Sequence, residues 1–381
     1  MLQSVVVYFS LALFMIICGY IAAKRERIFQ KYHNVSEEQS FWHYETIWPL
    51  LLFALIFGCR YNVGVDYPAY LKSYLYGGGR EYEFLFQGVT DFMSRSDIHY
   101  AFYFFLWAFL EVFLLFYSFR KQRFLFPYMA FILIFGFYFM SMMNVIRQQI
   151  AACIFLFSLQ YIERKQALKY YVCVLLAMGF HKSAILLLPV YPLFRWRKDW
   201  FPSRFWQWAF YVVAILLSTQ YDAVVRGIEG LFVSFANVAG YGNYATGILY
   251  NETLNSANQF GNNTGFGFYI SVFLSAPIIY LSNRLKDFYR GNIFRIIYSL
   301  WFVRILADFV VGDSIILNRP FVYVYDIKIV MLAYFLHYCF NSKRVLFLLL
   351  GSAFVLVHIA MLLNLLSNGD INTSKFFFFW Q

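Results

Sequence analysis

The sequence predicts an all-α, polytopic transmembrane helix bundle of about 12 spans, and three observations carry that prediction. Hydrophobic residues make up 61% of the 381 residues and charged residues only 13%, which leaves too little polar surface for a water-soluble domain of this size. At least ten apolar runs approach the roughly 20 residues with which a helix crosses about 30 Å of hydrocarbon, so a bundle is expected rather than a barrel. Basic residues fall in short clusters between these runs, and the clusters occupy alternate connections.

The expected spans are 4–23, 44–60, 99–119, 124–142, 145–162, 167–181, 183–195, 205–220, 264–282, 292–311, 321–340 and 345–366, in one integral membrane domain over residues 1–381. The first has no basic segment ahead of it and no small-residue cleavage site behind it, so it reads as a retained span. The basic connections are Lys24/Arg25/Arg27/Lys31, Arg120/Lys121/Arg123, Arg164/Lys165/Lys169, Arg195/Arg197/Lys198/Arg204, Arg284/Lys286/Arg290/Arg295 and Lys343/Arg344. They hold most of the 31 basic residues, and the positive-inside rule assigns them to the cytoplasm, with both termini outside. The same placement accounts for the net charge of +11 without nucleic acid as a partner. The five cysteines lie within or beside spans without a CxxC pair, so neither a disulfide framework nor a metal site is expected.

Two external connections are too long to be turns. In residues 60–100, Tyr67 to Tyr76 and Glu83 to Met93 read as short amphipathic helices broken at Gly77-Gly78-Gly79, and their aromatic residues suit the membrane interface. Residues 221–264 begin as an amphipathic stretch and turn polar after Gly240, as an external flap would. The cytoplasmic connections are short, so the working face is expected outside.

The candidate site residues gather on that face. Asn144 is a plausible N-cap that puts Arg147 in a first helical turn, where free amides and a guanidinium together suit phosphate; the alternative is that Arg147 snorkels to lipid headgroups. Gln148 and Gln149 beside it call for a protein-lined, polar environment. His181 stands between two short spans of roughly 20–23 Å, which recesses it below the outer surface. Its titration range suits a base taking a proton from a sugar hydroxyl, and Lys182 beside it suits phosphate. Arg304 and Asp308 are four apart in the tenth span, where a helix-tying pair is the plain alternative to a substrate contact. Asp313 and Arg319 lie in the following external turn, Arg319 just ahead of a proline-started helix. Arg60, Asp66, Tyr67, Tyr70 and Glu83 offer the carboxylates and aromatic faces that a carbohydrate site uses.

The order Arg60-Tyr61-x-Val63-Gly64-x-Asp66-Tyr67-x-x-Tyr70, Tyr82-Glu83, Asn144-x-x-Arg147-Gln148-x-x-Ala151, Phe180-His181-Lys182-Ser183-Ala184 and Arg319-x-x-x-Tyr323 resembles the EpsG family of Wzy-type polysaccharide polymerases. Val65 stands where that family is expected to have a small polar residue. The resemblance implies a bacterial inner-membrane glycosyltransferase of the GT-C type, which joins undecaprenyl-diphosphate-linked repeat units at the outer face to make O-antigen, capsule or exopolysaccharide. It implies a diphosphate held by Arg147, Arg319, Arg60 and Lys182 and a base among His181, Asp66 and Glu83. Gln148, Tyr67, Tyr70, Tyr323, Arg304 and Asp313 would contact substrate. No cofactor is expected, and the sequence holds no DxD-like external metal site. A chain-length regulator stays open as a partner. The competing assignments are an O-antigen ligase and, in a different class, a lipid-linked oligosaccharide flippase, which would distribute its charges along a path open to both sides.

Overall fold

A computed structural model describes residues 2–32, 39–77, 82–196, 199–219, 266–312, 315–369 and 375–381. The chain forms two compact units, Met1–Arg195 with Asp326–Gln381, and Trp196–Tyr325. Up to the end of the first stretch the helices are α1 (Leu2–Tyr32), α2 (Tyr44–Gly58), α3 (Tyr67–Tyr76), α4 (Phe84–Arg95), α5 (Tyr100–Ser118), α6 (Phe126–Phe135), α7 (Phe139–Asn144), α8 (Ile146–Glu163), α9 (Ala167–Phe180) and α10 (Val190–Trp196). The second unit holds α11 (Arg204–Ser218), α12 (Phe266–Tyr280), α13 (Ser282–Phe288), α14 (Asn292–Val311) and α15 (Ile315–Asn318). The chain then returns to the first unit with α16 (Ile327–Asn341) and α17 (Val345–Asn368).

Among the described residues four helices are long and apolar enough to cross a membrane, Leu2–Tyr32, Tyr100–Ser118, Arg319–Asn341 and Val345–Asn368. A fifth is available if Gly267–Tyr280 and Ser282–Phe288, bent by 58° at their junction, count as one span. Tyr44–Gly58, Arg123–Phe135 and Ala167–Phe180 are apolar but shorter. The difference from the expected spans has local causes. The run 124–142 breaks at Gly136-Phe137, where Phe137 takes φ 48°, so α6 and α7 are separate pieces. The run 183–195 becomes a 3-10 turn, Lys182–Leu187, followed by the short α10. Helix α8 reaches 18 residues, but Gln148, Gln149, Ser158 and Gln160 dilute its hydropathy, and it is buried along nearly its whole length against α5 and α9. A helix wrapped by protein needs no lipid-facing stripe.

Both short helices expected between 60 and 100 are present. Pro68 in the first turn opens α3, and Gly77, with φ 66°, closes it in a conformation that a side chain disfavours. The break after Gly77 and the flap at 221–264 lie outside the described residues.

Residues 375–381 strap the first unit. Phe376 is buried against Tyr8 of α1 and Phe57 of α2, Phe378 forms an antiparallel bridge with Arg60, and Phe379 packs on His99 and Tyr100 at the head of α5. The strap thus fixes the backbone of Arg60, whose guanidinium reaches inward.

Candidate functional site

Arg60 is 1% exposed. Its Nε donates to the Val63 carbonyl at 3.1 Å, Nη1 to Phe57 at 2.7 Å and Nη2 to Met143 at 3.2 Å. The guanidinium also lies over the Phe104 and Tyr67 rings. It therefore ties α2, the 60–66 loop and the residue before Asn144 together, and the expected contact with diphosphate is corrected to a structural tie. Tyr67 is corrected with it, because its ring is buried and stacked on Phe104 at 4.5 Å.

That tie places the start of α8. Gly64, at φ 106°, passes so close to Asn144 that a Cβ would stand 2.8 Å from its Oδ1, so only glycine fits. Asn144 is the last residue of α7, and Val145 holds the N-cap of α8, which corrects the expected cap. Arg147 remains in the first turn of α8.

Around Arg147 the structure gathers residues from three helices. Its Nη1 donates to Glu83 Oε2 at 2.6 Å, with the side chains 22% and 10% exposed. The guanidinium lies 4.7 Å from the centroid of the Tyr82 ring and is hydrogen-bonded to the Tyr70 hydroxyl. Its Nε is buried without a hydrogen-bond partner among the described residues. The second Glu83 oxygen, Oε1, accepts from the Lys182 backbone N–H at 3.1 Å. Glu83 thus bridges the head of α8 and the turn after α9.

Electrostatics follows from this packing. Burial alone would raise the Glu83 carboxyl, but the Arg147 charge, backbone N–H donors including that of Lys182, and the Arg147 hydrogen bond outweigh it and hold the pKa below the ordinary glutamate value. Burial pushes the Tyr70 phenol up to about 12, Arg147 opposes the rise and Asp66 adds to it. Tyr70 therefore acts as a neutral hydroxyl, and Asp66, half-buried ahead of α3, lies within electrostatic reach of it.

Beside the cluster runs an open groove of about 850 Å³ between α4 and α9. Tyr82, Glu83, Phe84, Gln87, Gly88 and Asp91 line one side, and Leu175, Met178, Gly179 and Lys182 the other. Gly179 sets the approach of the two helices, since a Cβ there would stand 2.4 Å from Leu85 Cδ1. The Lys182 side chain is exposed. His181 closes α9 half-buried, its Nδ1 shares a hydrogen bond with Ser183 Oγ at 2.7 Å, and it is not among the groove-lining residues.

Deeper along α8, Gln148 and Gln149 are both buried. Gln149 Nε2 donates to Asp326 Oδ2, Ser141 donates to Gln149 Oε1 at 2.8 Å, and Cys153 lies 3.6 Å from the same Asp326 oxygen. Gln149, rather than Gln148, provides the tie to the chain returning at Asp326.

The other expected site residues belong to the second unit. Arg304 is 4% exposed; its Nη2 pairs with Asp308 at 2.7 Å, Nη1 donates to Asn318 at 2.6 Å, and the guanidinium faces Tyr325. This geometry is the helix-tying pair, and the expected substrate contact of Arg304 is corrected accordingly. Arg319 opens the 3-10 segment Arg319–Val324, with Pro320 in its first turn and the helix continuing to Asn341, so it stands at the proline-started helix end expected of it, and Tyr323 is buried within that segment. Asp313 lies outside the described residues.

Of the candidates named from the sequence, the structure brings Glu83, Arg147, Tyr70 and the Lys182 backbone together, while Tyr82, Gln87, Asp91 and Gly179 receive no role from the sequence. The signal for the last three was present: 84, 87, 88 and 91 recur at helical spacing on α4, as do 175, 178, 179 and 182 on α9.

Among the described residues the chain is helical, and several of its helices are long and apolar enough to cross a membrane, which defines the class as a helical membrane protein. The EpsG family model matches residues 46–379, and the chain belongs to the EpsG family, Wzy-type polysaccharide polymerase-like membrane proteins of polysaccharide biosynthesis. No curated protein and no solved structure matches it.

Proposed function

We propose that this protein is a glycosyltransferase that joins undecaprenyl-diphosphate-linked oligosaccharide repeat units at the outer face of the bacterial inner membrane, in the manner of a Wzy-type polymerase. The observation that carries the reading is the occupancy of Arg147: a carboxylate accepts both its Nη1 and the Lys182 backbone N–H. Those are donors of the kind a phosphoryl oxygen uses, and the buried, unsatisfied Nε of Arg147 adds a third.

In this mechanism the donor diphosphate takes the place of Glu83 on Arg147 and on the Lys182 amide. Glu83, released, accepts the proton of an acceptor sugar hydroxyl. That oxygen forms a bond to the donor's anomeric carbon while the bond from this carbon to the diphosphate breaks. The bonding pair leaves with the lipid diphosphate, whose charge Arg147 and Lys182 stabilise. Before the diphosphate binds, Glu83 is held ionised but occupied by Arg147, so acceptor activation waits for the donor.

The test is reconstitution of the purified chain with lipid-linked repeat units and separation of products by length. A ladder of polymers in the wild type, lost in Arg147→Lys and Glu83→Gln, is expected. A full-length ladder from Arg147→Lys removes Arg147 from the mechanism, and the absence of any ladder in the wild type overturns the polymerase assignment.

A further inference from the structure

We infer that α4 carries a saccharide subsite, built from Phe84, Gln87, Gly88 and Asp91, that reads the sugar attached directly to the lipid diphosphate. The inference rests on the reading of Arg147 as the diphosphate site and extends it to substrate selection. The two walls of the groove differ in chemistry. Helix α9 contributes Leu175 and Met178, an apolar edge, whereas α4 contributes an amide, a carboxylate and an exposed aromatic ring at positions that share one helix face. Gln87 Nε2 donates to Asp91 Oδ1 at 2.6 Å, so the two polar groups are already aligned as a donor and acceptor edge for vicinal hydroxyls. Phe84 is 73% exposed and one turn closer to Glu83, where a pyranose C–H face can rest.

Gly88 lies between the polar groups, and a Cβ built there meets nothing within 4 Å. The floor of the groove is therefore open beside the Gln87–Asp91 pair. The occupant follows from position. Glu83, the first residue of the same wall, bonds Arg147, so a ligand whose diphosphate sits on Arg147 lays its first sugar along α4 and its isoprenoid along Leu175 and Met178. A wholly apolar occupant would desolvate the Asp91 carboxylate with only the Gln87 amide to satisfy it.

Gly88→Leu puts a side chain into this space from a Cβ that meets no neighbour, and Asp91→Asn changes the edge without changing its size. The full chain in lipid nanodiscs is titrated with undecaprenyl diphosphate and, separately, with undecaprenyl-diphospho-oligosaccharide extracted from the host. The wild type should hold the glycosylated lipid more tightly than the bare one. Both variants should weaken the glycosylated lipid by roughly tenfold and change the bare lipid by less than about twofold, with unfolding temperatures unchanged. Equal losses on both lipids, or no loss on either, overturn the saccharide subsite while leaving the anion site standing. A wild type that binds neither lipid overturns the anion-site reading, and the subsite falls with it.

Discussion

Arg147 and Glu83, 64 residues apart in the chain, meet at 2.6 Å at the junction of α8, α4 and the turn after α9. The pair is partly shielded from water, so its attraction is stronger than that of a surface ion pair, and each partner has a further tie, Tyr82 beside the guanidinium and the Lys182 amide on the carboxylate. Glu83 thus spends both carboxylate oxygens on protein donors.

Arg147→Lys keeps the charge but loses the planar fork and the ring contact with Tyr82. Chain extension should fall by about a hundredfold or more, in the range for removal of one donor to developing charge. Surface-polysaccharide gels from a deletion strain complemented with the variant should show short chains at wild-type protein abundance.

The Glu83 pKa is lowered in the folded chain, so its contribution to stability is present above the ordinary glutamate pKa and disappears as pH falls through the lower, folded value. Glu83→Gln should therefore unfold at a lower temperature than the wild type at neutral pH, by a difference worth about 1–3 kcal/mol for a charged hydrogen-bonded pair. Thermal unfolding across a pH series should show the two curves merging under strongly acidic conditions. A gap that stays constant with pH would show that the ionised carboxylate is not its source.

Gly179→Ala sets a methyl group 2.4 Å from Leu85 Cδ1 and 2.7 Å from its Cγ, forcing α4 and α9 apart or Leu85 out of place. The cost should be about 1–3 kcal/mol with a matching loss of activity. Leu85→Ala in the same chain should recover part of both, because the two side chains compete for one volume; an unfolding-temperature cycle of the four proteins measures this.

Asp326→Ala strands Gln149 Nε2 in the interior of the first unit and should cost about 1–3 kcal/mol. Replacing both residues by leucine should cost less than the single change, since the amide is removed together with its carboxylate and only the half-buried Ser141 hydroxyl loses an acceptor. Unfolding in nanodiscs distinguishes the two outcomes.

The groups that meet around Arg147 show what periodicity conveys and where it stops. Tyr67-Pro68 and Gly77 mark the ends of α3 because proline fixes φ at a helix start and glycine alone enters the left-handed region cheaply at its end, so that helix was legible to the residue. The interior helices were less so. Phe137 bends the run 124–142 in a region where nearly every residue is apolar, and hydropathy does not register a turn made by a buried aromatic residue.

The sequence by itself determined the helical membrane class, the family, and the chemical vocabulary of the site, because composition and spacing act locally along the chain. Only the tertiary structure decided how the charges are shared. Arg60 and Arg147 look alike in sequence, yet the first is consumed by three backbone carbonyls while the second meets the Glu83 carboxylate and the Tyr82 ring. The physical reason is that a guanidinium taken out of water must find its partners wherever packing puts them, and in this chain they come from residues as far as 83 positions away.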